Sequence, residues 1–221
     1  MATDPAIVPL VMGPAILSAI AVTALVTSDF RQFRPGRYLF KPLAASAFLW
    51  LALALGATES IYGCWLLAGL VCCMAGDLLL MADNERAFLA GLVAFLCGHL
   101  CYVLAFLGLG SSLQGLAISA LPALILMVFC MRWLLPQVGA DMKIPVSAYI
   151  VVITGMLLCA GMSSGHPAAT LIICGAWAFA ISDLAVARRQ FVQAQRSTAL
   201  WGTPLYFLAQ MLLASSVALV H

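Results

Sequence analysis

A chain of 221 residues with 65% hydrophobic residues, only 8% charged residues and a mean hydropathy of +1.11 lacks the polar surface that a soluble domain of this length needs. Composition excludes the soluble classes and points to one integral membrane domain over residues 1–221, because no polar stretch is long enough to fold separately. The net charge of +2 points to no nucleic-acid partner.

A membrane-spanning helix needs roughly 20 mostly apolar residues. Eight segments of that kind follow one another, at about 6–26, 39–57, 61–82, 87–109, 113–135, 144–162, 167–187 and 198–220, and predict an all-α polytopic protein. The first follows Met1–Pro5, which has no basic residue, and is too long for a signal-peptide core, so it reads as a retained helix. Lys41, followed by Pro42, opens the second. The third carries Asp77 after Gly76 near its end. The fourth aligns Gly91, Phe95, Gly98 and Tyr102 on one stripe, with His99 beside them, and its glycines permit close helix approach. The fifth contains Pro122, which neighbouring helices can accommodate. Pro145 and Tyr149 lie on the sixth, Phe179 and Asp183 on the seventh, and Tyr206 and Gln210 one turn apart on the eighth.

Orientation follows from charge. The ten basic residues are Arg31, Arg34, Arg37, Lys41, Arg86, Arg132, Lys143, Arg188, Arg189 and Arg196. Each falls in, or within about a turn of, the 1–2, 3–4, 5–6 or 7–8 connection. The positive-inside rule makes those connections cytoplasmic and sets both termini outside. At 1.5 Å per residue, Asp77 and Asp183 then lie ~7 and ~6 Å from the cytoplasmic boundary, Tyr206 ~12 Å deep, and His99 and Gln210 ~18 Å deep. These residues form a polar column from the cytoplasmic boundary to mid-membrane. The spacing also echoes internally: His99 follows Asp77 by 22 residues and Tyr206 follows Asp183 by 23, as a four-plus-four helix duplication would produce.

Ionisable groups in hydrocarbon are costly, by at least ~2.5–3.5 kcal/mol on insertion scales, and read as functional by default. Asp77 and Asp183 come first. A structural role, capping a helix or pairing with Lys41 or an arginine, competes with a chemical one. Apolar surroundings and mutual repulsion favour one protonated and one ionised partner, a division suited to acid–base work. Lys41 fits topology and snorkelling, or recognition of a phosphate headgroup, or electrostatic tuning of Asp77. His99, Tyr102, Tyr149, Tyr206 and Gln210 are candidate orienting groups, although singly such residues more often hydrogen-bond between helices. All eight cysteines lie in apolar segments and read as small buried hydrophobes, and no metal or cofactor is expected. No Gly-x-Ser-x-Gly elbow, phosphate-cradling loop or His-Glu-x-x-His occurs.

Lys41-Pro42, Gly76-Asp77 with Met81, Phe88-Leu89-x-Gly91, Phe95-Leu96-x-Gly98-His99-x-x-Tyr102, Ser182-Asp183 and Tyr206-x-x-Ala209-Gln210, in this order over about 39 to 215, resemble the YhhN-type lysoplasmalogenase family. Pro145 with Tyr149 also looks like the family pattern. The resemblance implies an eight-helix hydrolase that cleaves the vinyl ether of lysoplasmalogens, giving a fatty aldehyde and glycerophospho-ethanolamine or -choline. It implies a lysophospholipid substrate, with Asp77 and Asp183 catalytic and Lys41, His99, Tyr102, Tyr149, Tyr206 and Gln210 binding substrate. The compact length and short loops favour a bacterial inner membrane. The alternative reading is a proton-coupled transporter of lipid or small molecules, with the carboxylates as coupling groups. An intramembrane aspartyl protease fits less well, because the Gly-Asp pair sits on the earlier aspartate. A structural or sensor role remains as a third alternative.

Overall fold

The computed structural model describes residues 7–82, 84–193 and 196–220, and among them the chain is all-helical. Eight α-helices follow in order: α1 (Ile7–Phe30), α2 (Arg34–Ala54), α3 (Ile61–Leu79), α4 (Glu85–Leu107), α5 (Leu113–Leu134), α6 (Ala140–Met162), α7 (Ala169–Ala187) and α8 (Arg196–Ser215). A π turn at Arg188–Val192 prolongs α7, and 3-10 turns follow α5 and α8. Side-chain caps mark the starts: Ser60 accepts from Gly63 N at 3.0 Å, Asn84 from Ala87 N at 2.8 Å and Ser112 from Gly115 N at 3.1 Å. Gly56, at φ 80°, takes the left-handed position just after α2 that a side chain would resist.

Among the described residues seven helices are long and apolar enough to cross a membrane, one fewer than the eight spans expected from the sequence. The exception is α2. It begins at Arg34, five residues before the expected start at 39, because Pro35 suits the first helical turn. Arg34, Arg37 and Lys41 therefore lie on the helix itself. Only Pro42–Ala54 remains as an uncharged run, about 20 Å of helix against a hydrocarbon core of ~30 Å. At the other boundaries, α3 ends at Leu79 rather than 82, and α6 starts at Ala140, taking in Lys143. The terminal segments 1–6 and 221, and the side chain of Arg196, which entered the orientation argument, lie outside the described residues.

The helices pair two by two along the chain, α1 with α2, α3 with α4, α5 with α6 and α7 with α8, most closely in the second and fourth pairs. Small residues set those contacts. A Cβ on Gly69 would run into the Tyr102 ring, and one on Gly76 would lie 2.7 Å from the Phe95 ring. Across the fourth pair, a Cβ on Gly175 would meet Leu213 at 2.9 Å. Without a hydrophobic force between helices in lipid, such close approach is what dispersion contacts require. α8 also packs on α1, α2 and α3, and α4 on α6, so α8 has the most helix neighbours. The outside is apolar: Ile16, Ile20, Trp50, Leu53, Ile118, Leu121, Ile125 and Phe129 are all exposed. An apolar surface of that extent marks contact with lipid.

The expectation that the cysteines are buried holds for Cys73 and Cys130 alone. Cys64, Cys97 and Cys174 are exposed and Cys72, Cys101 and Cys159 intermediate, all as free thiols. An apolar run in such a bundle has an outward face as apolar as its inward one, so membership of the run does not predict burial.

Candidate functional site

The ends of α2 and α3 meet through three donors. Over its last turn α3 runs out of backbone N–H partners for its carbonyls. Lys41 Nζ donates to the carbonyl of Asp77 at 3.0 Å, Arg37 to that of Leu80 at 3.0 Å and the Tyr38 hydroxyl to that of Met81 at 3.3 Å. Two of these donors are cationic and sit at the negative end of the α3 dipole. Arg37 and Tyr38 were not singled out from the sequence. Their signal was present in the basic run before Lys41, but that run reads first as topology.

Lys41 is thereby held over Asp77. Its Nζ lies 3.0 Å from Asp77 Oδ1, with side-chain exposures of 13% and 4% for lysine and aspartate. From α8, the Tyr206 hydroxyl donates to Asp77 Oδ2 at 2.6 Å. Both carboxyl oxygens therefore carry a donor, one of them charged.

Asp183, on the last turns of α7, is set differently. The Tyr149 hydroxyl on α6 donates to its Oδ2 at 2.9 Å, and His99 Nε2 on α4 lies 3.6 Å from the same oxygen. The His99 tautomer follows from its other nitrogen. Nδ1 lies 2.7 Å from the Phe95 carbonyl one turn back, and a carbonyl only accepts, so Nδ1 carries a hydrogen. Among the described residues Nε2 has no hydrogen-bond partner. The imidazole packs on Phe179 at 4.4 Å and edge-on to Tyr149 at 5.2 Å. Phe179 in turn touches the rings of Phe95, Tyr102 and Tyr206, which makes it the hub of the aromatic packing behind both carboxyls.

The two aspartates line one cavity, of about 1400 Å³ with its open mouth included. All eight helices contribute to its wall, which is mostly apolar: Leu25, Leu92, Phe95, Leu126, Met127, Val146, Ile150 and Ile153 among others. Lys41, Tyr149 and Tyr206 share that wall with the aspartates, and Asp29, Arg37 and Arg189 stand on it with Thr198 and Thr203. Phe88 and Phe191 meet edge to face at 5.7 Å, also on the wall.

Five of the eight candidate residues therefore border the cavity and three do not. His99, Tyr102 and Gln210 are fully buried behind its wall. Tyr102 donates to Gln210 Oε1 at 2.7 Å and lies 3.7 Å from Cys73 Sγ, a contact with no signal in the sequence. Among the described residues no three histidine, cysteine or acidic side chains gather as a metal site.

Comparison with known proteins adds an independent line. A protein named Lysoplasmalogenase from Mycobacterium bovis is 31% identical over 133 residues, 58% of this chain and 50% of that protein. Lysoplasmalogenase TMEM86B of Homo sapiens is 32% identical over 180 residues, 79% of this chain and 70% of its own length. The Sus scrofa protein of the same name is 31% identical over 160 residues, 71% of this chain and 65% of that one. The chain spans about half the length of the mycobacterial relatives it matches. No solved structure matches it significantly. The family model for YhhN covers residues 36–217, from the basic turns of α2 to the end of α8, and so takes in every residue of both carboxyl clusters. On that match the chain belongs to the YhhN family.

Proposed function

We propose that the protein is a hydrolase of the lysoplasmalogenase type, cleaving the vinyl ether of a single-chain alkenyl phospholipid to a fatty aldehyde and a glycerophosphodiester. The observation that carries this reading is the pair of carboxyls on the wall of one apolar cavity, in unlike settings. A vinyl ether is cleaved by adding a proton to its terminal vinylic carbon, which leaves an oxocarbenium ion for water to attack. The demands match those of glycoside hydrolysis, one carboxylic acid to protonate and one carboxylate to stabilise the cation. The relatives named lysoplasmalogenase support the same class.

The site divides accordingly. Asp77 and Asp183 act on the vinyl ether, and the alkenyl chain lies among the apolar residues of the wall. Tyr206 and Tyr149 orient the carboxyls. Lys41 serves Asp77, because two of its three donor hydrogens are already directed at that residue. The phosphodiester then meets Arg37 and Arg189 on the cavity wall rather than Lys41. His99, Tyr102 and Gln210 support from behind instead of touching the chain. By the positive-inside rule the basic mouth faces the cytoplasm and the termini face outward, and α2 spans as the eighth helix with its charged turns at the interface. Substrate enters from the inner leaflet of a bacterial cell membrane.

Purified in detergent, the protein is expected to release aldehyde from a 1-alkenyl lysophospholipid and no fatty acid from its 1-acyl counterpart. Absence of vinyl-ether turnover, together with uptake into vesicles that follows a pH gradient, would replace this reading by transport.

A further inference from the structure

The two carboxyls occupy parallel positions that differ in one respect. Asp77 receives Lys41, 36 residues before it, and a tyrosine from α8. Asp183 receives Tyr149, 34 residues before it, and faces His99 of α4. If the chain is a doubled four-helix unit, α2 corresponds to α6, α3 to α7 and α4 to α8. Each aspartate is then gripped by the preceding helix of its own half and by the last helix of the other. Where one half offers an ammonium, the other offers a phenol.

Hydrogen-bond accounting turns that difference into a protonation pattern. Asp77 has donors on both oxygens, and its charge is balanced by Lys41 at 3.0 Å, so it is satisfied as a carboxylate. Around Asp183, Tyr149 from α6 and His99 from α4 carry no fixed charge, and Asp77, from α3, lines the same cavity. His99 is fully buried with Nδ1–H committed to Phe95. Its Nε2 therefore presents a lone pair toward Asp183 Oδ2 unless the ring is charged. A bare carboxylate against that lone pair would set two acceptors face to face. At 3.6 Å the two atoms stand just outside hydrogen-bond range; one proton between them removes that opposition, and either placement of it leaves the pair neutral. The uncharged form, carboxylic acid beside neutral imidazole, avoids separating two charges in a dry interior.

Resting on the vinyl-ether reading above, we propose that His99 keeps the transferable proton on Asp183, which is the acid of the reaction, that Tyr149 orients that carboxyl, and that Asp77 is its standing carboxylate. Asp183 is also the more accessible of the two, with 14% of its side chain exposed against 4% for Asp77. In the step, the O–H bond of Asp183 breaks as the C=C electron pair takes the proton at the terminal vinylic carbon. The ether oxygen shares its lone pair to form the oxocarbenium, opposite the charge of Asp77. Water adds to the carbon that bears the ether oxygen and returns one proton to Asp183. The hemiacetal then breaks its C–O bond, the glycerol oxygen takes the second proton, and aldehyde departs with Asp183 reloaded. His99 is a positioning residue in this scheme: it acts through Asp183 and does not border the cavity.

Isotope-edited infrared spectroscopy with carboxyl-labelled aspartate tests the assignment at neutral pH. We expect one carboxylic-acid C=O band that persists in Asp77→Asn and vanishes in Asp183→Asn. A band lost instead in Asp77→Asn, or no such band in the unsubstituted protein, overturns the assignment. Nitrogen-15 spectra of the unsubstituted protein ask the same question without a variant: His99 should be neutral with its hydrogen on Nδ1, and a doubly protonated ring refutes the proposal. His99→Phe should lower kcat about tenfold or more with KM unchanged, and an unchanged kcat removes His99 from the scheme. The spectroscopic readouts do not depend on turnover. A band on Asp183 in a protein that releases no aldehyde therefore refutes the reaction and leaves the proton assignment standing. Aldehyde release with the band on Asp77 does the reverse.

Discussion

Asp183→Asn is expected to lower kcat on an alkenyl lysophospholipid by about 10²–10⁴, with KM little changed. The amide keeps the shape of the side chain and can still accept from Tyr149, but it cannot give a proton to carbon. On the proposed reading the lipid's apolar chain and its phosphodiester lie against other residues of the wall, so binding should survive. Asp77→Asn should also abolish most turnover, for another reason: it removes the charge facing the developing cation and leaves Lys41 buried beside a neutral amide. Steady-state rates of aldehyde release for the two variants check both statements. A loss confined to KM in either would mean that the residue binds and does not react.

The second large effect is on stability. Lys41→Met strips the partner from a carboxylate only 4% exposed and leaves two carbonyl–donor contacts where three tied α2 to α3. Breaking a buried ion pair from one side costs on the order of 3–5 kcal/mol, because the remaining charge loses its counter-ion and keeps only the Tyr206 hydroxyl as a donor. Adding Asp77→Asn should recover much of that loss, since a neutral pair has little to desolvate. Thermal unfolding in detergent of the two single variants and the double variant measures the coupling. Additive losses would mean that the pair contributes nothing as a pair.

Much of this arrangement could be read in the sequence, and the rest failed for identifiable reasons. Runs of apolar residues located all eight helices, because in lipid a spanning segment must satisfy its own backbone. They misplaced the start of α2 because its first turns are polar: Pro35 and Gly36 beside Arg34 and Arg37 look like a loop, although proline is at home in a first helical turn. Depth alone grouped Asp77 with Lys41 and Asp183, and the structure joins the first two by an ion pair and sets all three on one cavity. Depth could not give azimuth. Tyr149 and His99 converge on Asp183 because α4 packs on α6 and α6 on α7, contacts that no local pattern encodes. Tyr102, Gln210 and His99, expected from the sequence to bind substrate, are turned behind the wall by their helices. Phe179 is likewise fully buried, and the rings of His99 and Tyr102 pack against it.

The central claim is protonation of a vinylic carbon by this site, and turnover in deuterated water tests it most directly. The aldehyde formed, trapped at once by reduction, should carry one deuteron on the carbon next to the former carbonyl, and the rate should fall relative to ordinary water. Aldehyde released without deuterium at that carbon would contradict the account.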